Sequence, residues 1–182
     1  MSIILMLAHL FGVAIGAGGA FVSDALFLRS ARDRVLSHDE IRLMNTAGAM
    51  VWLGLVILIA SGAAMFLLRP EELLASVKFV TKMIIVSVIV INGIVFHTYH
   101  IPHMKRHAGK NISRSATFKK RSRFMLVSGS VSVVSWISAL VLGGLRSVPF
   151  SLPQMLGLYL AIVFVVGVAT QLARPFILGI KK

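Results

Sequence analysis

The sequence predicts an all-α integral membrane protein, a bundle of five transmembrane helices in a single domain. Its composition, 57% hydrophobic and only 14% charged, is typical of proteins that live in a bilayer. Several apolar stretches reach the roughly 20 residues that a helix needs to cross the hydrocarbon layer. Lys and Arg residues concentrate in alternate loops between those stretches, as the positive-inside rule requires. The 182 residues leave no room for a separate soluble domain.

Hydropathy places the five spans at 3–27, 44–68, 77–99, 124–145 and 155–178. No basic residue precedes the first stretch and no small-residue cleavage site follows it, so we expect it to be retained as a span. The stretch "SHDEI" offers Ser37 or Asp39 as a helix cap ahead of the second span. Prolines at 70, 149 and 153 mark the ends of the short loops.

The distribution of basic residues predicts the orientation of the bundle. The loop before the second span and the loop before the fourth span, with the C-terminal tail, carry most of the Lys and Arg residues. Both loops and the C-terminus should therefore be cytoplasmic and the N-terminus outside. The short loops favour a bacterial inner membrane.

Small and uncharged polar residues inside the spans indicate how the helices pack. Gly12, Gly16 and Gly19 recur every turn along the first span, where they allow a neighbouring helix or a flat cofactor to approach the backbone closely. Asn92 and Gln171 lie in the third and fifth spans, and we expect interhelical hydrogen bonds from both.

Composition excludes several classes of function. The chain contains no cysteine, which excludes disulfides, thiolate metal sites and iron–sulfur clusters. The net charge of +13 lies beside apolar spans, so it predicts contact with anionic lipid headgroups of the bilayer and not with nucleic acid. No nucleophile–base arrangement or phosphate-binding glycine loop is present, and catalysis would therefore depend on a bound cofactor.

Ionisable residues within the spans are the first functional candidates, because burying them in a membrane is costly. His9 in the first span and Lys82 in the third lie at similar depths from the outer side, unless Lys82 extends to the outer interface. Asp24 lies near the inner end of the first span, where we expect it to pair with Arg29 or Arg174.

A histidine cluster ends the third span in the stretch "VFHTYHIPHMKRH". Its members are spaced three, three and four residues apart, so consecutive pairs share a helical face, although Pro102 disturbs the helix. Two open alternatives follow. The cluster is a copper or zinc site formed by His97, His100 and His103, or it belongs to a basic collar that binds lipid.

The residues also leave a haem site open. Axial ligands of a haem between helices come from different helices, and the second, fourth and fifth spans contain no histidine. A bis-histidine haem at the inner level would therefore require a second subunit. At the outer level His9 is a candidate axial ligand, with Met65 or Lys82 on the other side.

The motifs "LAHLFGVAIGAGG", "KFVTKMIIV" and "VFHTYH" resemble those of the small membrane-protein group around the HemJ-type protoporphyrinogen oxidases and the CopD copper-resistance proteins. That resemblance implies a bound haem b with His9 as ligand. It also implies a catalytic role for Lys82 and assigns His97 as the later histidine of the site. Gly16 and Gly19 would line the cofactor.

Three functions remain open on the sequence. The leading hypothesis is a haem b-binding membrane protein that supports electron transfer or porphyrin oxidation, with a redox partner or a second copy of the chain. The second is a copper or divalent-metal transport protein that uses the 97–107 cluster. The third is a structural membrane subunit whose basic loop binds lipid.

Overall fold

The structure, a computed structural model, describes residues 3–33, 35–110 and 115–178. Its described elements are helical, and five helical stretches are long and apolar enough to cross a membrane, which confirms the predicted all-α bundle. The helices are α1 (Ile3–Asp33), α2 (His38–Leu68), α3 (Pro70–Leu74), α4 (Val77–Val95), α5 (Ile101–Arg106), α6 (Ala116–Gly144) and α7 (Leu152–Ile177).

A serine precedes each of the four later spans, and three of these serines, Ser37, Ser76 and Ser115, accept a hydrogen bond from an amide of the first helical turn. At the start of α2, Ser37 and Glu40 form a capping box, in which the Glu40 amide donates to Ser37 Oγ at 3.1 Å and the Ser37 amide donates to Glu40 Oε2 at 2.9 Å. The expected cap of the second span is thereby confirmed. The other three serines are Ser76, Ser115 and Ser151.

Helices α1 and α2 pack so closely that their contact excludes side chains larger than hydrogen. A Cβ atom at Gly12 would lie 2.9 Å from the carbonyl oxygen of Gly54, and one at Gly19 would lie 2.6 Å from that of Ala47. A Cβ atom at Gly16 would lie 2.5 Å from the ring of Trp136. The space over Gly16 and Gly19 is thus filled by the protein itself, as expected for glycines that serve helix packing.

The third span runs without a break from Val77 to Arg106, but its hydrogen bonding changes near the end. Between α4 and α5, residues Phe96–His100 form a π-helical turn, in which the Ile101 amide donates to the Phe96 carbonyl five residues earlier. Pro102, at the start of α5, has no amide to donate. Because a π-helical turn holds more residues than an α-helical turn, it changes the directions of the side chains that follow.

The connection α1–α2, the connection α5–α6 and the end of α7 lie at one end of the bundle, which we call the basic end. An apolar core at this end joins Met44, Ile101, Met104 and Phe118. A second core, around Leu55, Ile85, Trp136 and Tyr159, fills the remainder of the bundle. The cavity that forms the candidate site is lined by residues of both cores, among them Trp136 and Met104.

We predict that Gly54→Ala destabilises the bundle by about 1–3 kcal/mol, the usual cost of overpacking. Its new methyl group would meet the backbone of Gly12 and Gly16. The matched control is Gly18→Ala, because a Cβ atom at Gly18 meets nothing within 4 Å. Thermal unfolding in detergent should show a lower midpoint for Gly54→Ala alone, and equal midpoints for both variants would contradict the packing described here.

Candidate functional site: a polar cavity in the basic half of the bundle

A partly open cavity of about 60 Å³ lies between α1, α2, the third span and α6. Liquid water takes roughly 30 Å³ per molecule, so the cavity has room for about two water molecules. Its lining combines apolar walls with an unusual number of polar side chains. The polar side chains and the two tryptophans are Ser23, Asp24, Trp52, Asn92, His97, His100, Ser128, Ser132 and Trp136.

Asp24 places a carboxylate against this cavity. Its Oδ2 atom is buried and has no hydrogen-bond partner, and the Ser132 hydroxyl lies beside the carboxylate. Within the described ranges the ion pairs are Arg42–Asp39 and Arg69–Glu72. The expected pairing of Asp24 with Arg29 or Arg174 was therefore wrong, and no cationic side chain of the described residues forms an ion pair with the carboxylate.

Two further polar atoms on the same cavity lack partners. They are Ser23 Oγ and His100 Nε2, and both are buried. Serines in membrane helices usually donate to the carbonyl four residues earlier, as Ser30 does to Leu26 at 2.9 Å. Ser23 does not, and its hydroxyl stays available to a bound molecule or ion.

Asn92 and Ser128 join the third span to α6 beside the cavity. The Asn92 amide donates to the Ser128 carbonyl at 3.2 Å, and the Ser128 hydroxyl donates to Asn92 Oδ1 at 2.7 Å. The interhelical role expected of Asn92 is confirmed, as is that of Gln171, whose amide donates to the Arg123 carbonyl at 2.9 Å. The Asn92–Ser128 hydrogen bonds join two walls of the cavity, the third span and α6.

The hydrogen bonds of His97 determine which of its nitrogens carries the proton. Trp52 Nε1 donates to His97 Nδ1 at 3.2 Å, and an indole nitrogen can only donate. In the neutral ring Nδ1 is therefore the acceptor and Nε2 bears the hydrogen. Neither nitrogen then has a free lone pair, so the geometry disfavours His97 as a ligand for a metal ion or a haem iron.

His9 has the opposite arrangement in the other half of the bundle. Its Nδ1 lies 3.1 Å from Ser61 Oγ, and that hydroxyl lies 2.6 Å from the Ile57 carbonyl oxygen. Since the single hydroxyl hydrogen goes to the carbonyl, the hydroxyl accepts from Nδ1–H of His9. The lone pair of His9 Nε2 remains available to a ligand.

Lys82 lies close enough to His9 for its charge to act on the imidazole, as their similar depths predicted. Its ammonium group also lies near Gly143, since a Cβ atom there would be 3.9 Å from Lys82 Nζ. Met65, the other axial ligand expected from the sequence, is half-buried near the end of α2. The side chain that bonds to the His9 ring is that of Ser61.

The four histidines of the 97–107 stretch separate into two groups. His97 and His100 line the cavity, whereas the His103 ring stacks on Phe118, with centroids 5.6 Å apart. His107 Nδ1 donates to the His103 carbonyl at 2.9 Å. Among the described residues no group of three His, Asp or Glu side chains is placed to hold a metal ion. The expected set of His97, His100 and His103 is therefore not assembled.

Sequence reasoning did not single out Ser23, Trp52 and Trp136 as cavity residues. A signal existed for the tryptophans, because the chain contains only two and an indole N–H buried in a membrane must find an acceptor. For Ser23 the position next to Asp24 was the available signal.

Comparisons with protein-family models, with curated proteins and with solved structures find no match to this chain. The resemblance to the HemJ and CopD group stays a prediction.

We predict opposite tautomers for two histidines, measurable by ¹⁵N NMR of protein labelled at histidine. His97 should carry its proton on Nε2, and His9 should carry it on Nδ1. Trp52→Phe removes the donor to His97 and should shift that resonance alone, whereas Ser61→Ala should shift only His9. The same tautomer for both rings would contradict the hydrogen bonds assigned here.

Proposed function

We propose that this chain is a cation-coupled membrane transport protein that binds a monovalent cation, H⁺ or Na⁺, at Asp24. The observation that carries the proposal is the unpartnered Asp24 Oδ2, which shares one cavity with the unpartnered Ser23 Oγ and His100 Nε2. A bacterial inner membrane, with the basic end in the cytoplasm, is the setting we propose for it.

Burial of the Asp24 carboxylate is costly in free energy. A charged group in a medium of low dielectric constant is costly unless an opposite charge neutralises it, and Asp24 has no ion pair among the described residues. Ionisable groups of this kind within a membrane commonly mark ion pathways and proton relays. A bound cation would neutralise the carboxylate, which no side chain of the described part does.

The size and chemistry of the cavity select the cation. About 60 Å³ is enough for an ion with a water molecule. The hydroxyl oxygens near the carboxylate are those of Ser23, which has no partner, and Ser132. Oxygen ligands suit hard cations, whereas copper prefers thiolate, thioether or imidazole ligands. The protonated Nε2 of His97 further disfavours copper or zinc at this position.

The π-helical turn Phe96–His100 gives the cavity one wall with irregular helical bonding. It contributes Phe96, His97 and His100 to the lining, and π-helical turns within α-helices frequently occur at functional sites. The opposite wall, the α1–α2 pair, is closely packed through glycine. We propose that cation binding is sensed at the π-helical turn while α1 and α2 remain fixed.

Haem b binding is a second candidate, favoured by one observation, the free Nε2 of His9 beside Lys82. His9 thus fits an axial ligand. The faces of Gly16 and Gly19 are covered by Trp136 and α2, so a porphyrin at His9 would not lie against these two glycines. We assign no reaction step to a haem, and a haem-dependent oxidoreductase activity remains a proposal tied to His9 and Lys82.

Both tryptophans of the chain line the cavity, so intrinsic fluorescence should report cation binding. We predict that Na⁺, titrated at constant ionic strength with choline as the replacement, gives a saturable change in wild-type fluorescence. Lowering the pH in sodium-free buffer should also change the fluorescence. Added Na⁺ should reverse that change, because the two cations compete for the same site.

Asp24→Asn should abolish both responses, and Asp24→Glu should retain them, which separates loss of the carboxylate from misfolding. The matched control is Asp33→Asn, the same charge change at an exposed position of α1. A response of Asp24→Asn equal to that of wild type would refute the cation site.

For the haem candidate we predict a b-type absorption spectrum after purification from cells supplied with a haem precursor. His9→Ala should remove it because the axial ligand is lost, and Asp24→Asn should leave it unchanged. A colourless wild-type protein would end the haem proposal without affecting the cation site.

A further inference from the structure

A second depression lies on the surface of the basic end, separate from the cavity around Asp24. It is an open groove of about 730 Å³ between the third span and the start of α6. The third span contributes Val95, Thr98 and Tyr99 to the groove, and α6 contributes Thr117, Lys120, Arg121 and Phe124. None of these residues lines the cavity.

One side of the groove is basic. Lys120 is exposed and Arg121 is half-buried, with the Arg121 guanidinium held 5.0 Å from the centre of the Tyr99 ring. No acidic side chain lines the groove, and neither basic residue forms an ion pair within the described part of the chain. The exposed hydroxyl side chain of Thr117 lies on the same side. One guanidinium nitrogen of Arg121 lies 3.4 Å from His103 Nδ1, and the other N–H groups of this five-donor side chain remain. This side therefore offers several hydrogen-bond donors and two positive charges to an anion.

The other side of the groove is apolar and faces the membrane. Tyr99 and Phe124 are 49% and 48% exposed, and their rings meet edge to face with centroids 6.0 Å apart. Along α6 the basic residues Lys120, Arg121 and Arg123 come before an apolar stretch that starts at Phe124. This order predicts that the basic side lies at the level of the lipid headgroups and the aromatic side next to the acyl chains. Aromatic residues favour this interfacial level.

We propose that this groove is a binding site for an anionic phospholipid. Lys120 and Arg121 bind the headgroup phosphate, Thr117 donates a hydrogen bond to it, and Tyr99, Phe124 and Val95 contact the upper part of an acyl chain. The pairing of a cationic side with an apolar side favours a lipid over a soluble phosphate, because a soluble anion gains nothing from exposed aromatic rings. Cationic side chains at the inner membrane surface attract anionic lipids by general electrostatics, and the groove adds a defined position.

The site goes beyond the general basic collar that the composition predicts. In a collar every exposed Lys and Arg of the basic end contributes alike. In the groove Lys120 and Arg121 dominate, whereas Lys105 and Arg106, also exposed at that end but outside the groove, contribute little. The loop residues 111–114 lie outside the described residues and have no part in the proposal.

Native mass spectrometry of delipidated protein, titrated with phosphatidylglycerol or phosphatidylcholine, tests the proposal. We expect one phosphatidylglycerol to bind in preference to phosphatidylcholine. The double variant Lys120→Gln/Arg121→Gln should lower the affinity for phosphatidylglycerol by about 30-fold, as expected for two interfacial charges. The matched control is Lys105→Gln/Arg106→Gln, which should retain the affinity of the wild type.

A second variant and a second probe separate the remaining outcomes. Phe124→Gln should weaken phosphatidylglycerol binding without changing the retention of inorganic phosphate. Equal losses in both double variants would overturn the site in favour of a general collar. Inorganic phosphate binding as tightly as the lipid, with no effect of Phe124→Gln, would overturn the lipid assignment. Thermal unfolding in detergent confirms that each variant is folded.

Discussion

The structure depends on one constraint, that a polar atom inside a membrane must find a partner within the protein. Most hydroxyls in the spans meet it by donating to a carbonyl of their own helix, as Thr81 does to Val77 at 2.8 Å. Others bond across helices, as Ser128 does to Asn92 at 2.7 Å. Of the four buried side-chain atoms without a partner among the described residues, three lie on one cavity and the fourth is His103 Nε2. The proposed function rests on those three.

Packing explains why the exception lies where it does. The glycine contact brings α1 and α2 together over most of their length and leaves Trp136 of α6 against Gly16. About two turns further along α1, Ser23 and Asp24 line a cavity together with Trp136 and the hydrogen-bonded pair Asn92–Ser128. Its volume of about 60 Å³ suits an ion with water, the occupant that we propose.

The sequence was sufficient for features that depend on local composition. Hydropathy located the five spans, and Ser37 was one of the two residues expected as a cap. The interhelical hydrogen bonds of Asn92 and Gln171 were expected because amides in a membrane need partners. Similar depths were expected for His9 and Lys82, but depth alone does not bring two side chains together.

Features that depend on rotation about a helix axis were not accessible in this way. Asp24 was expected to meet an arginine, but its side chain faces the cavity. Consecutive histidines were expected to share a helical face in pairs. Beyond the π-helical turn at Phe96–His100, His97 and His100 line the cavity and His103 stacks on Phe118. Hydropathy records depth and not direction, and a π-helical turn has no distinctive composition.

Infrared difference spectroscopy of the purified protein, with and without Na⁺, tests the proposed cation site at Asp24 most directly. The proposed site predicts that Na⁺ removes the carbonyl stretch of a protonated carboxyl group, and that Asp24→Asn lacks this band. An Na⁺-independent carboxyl spectrum, identical in wild type and Asp24→Asn, would contradict it.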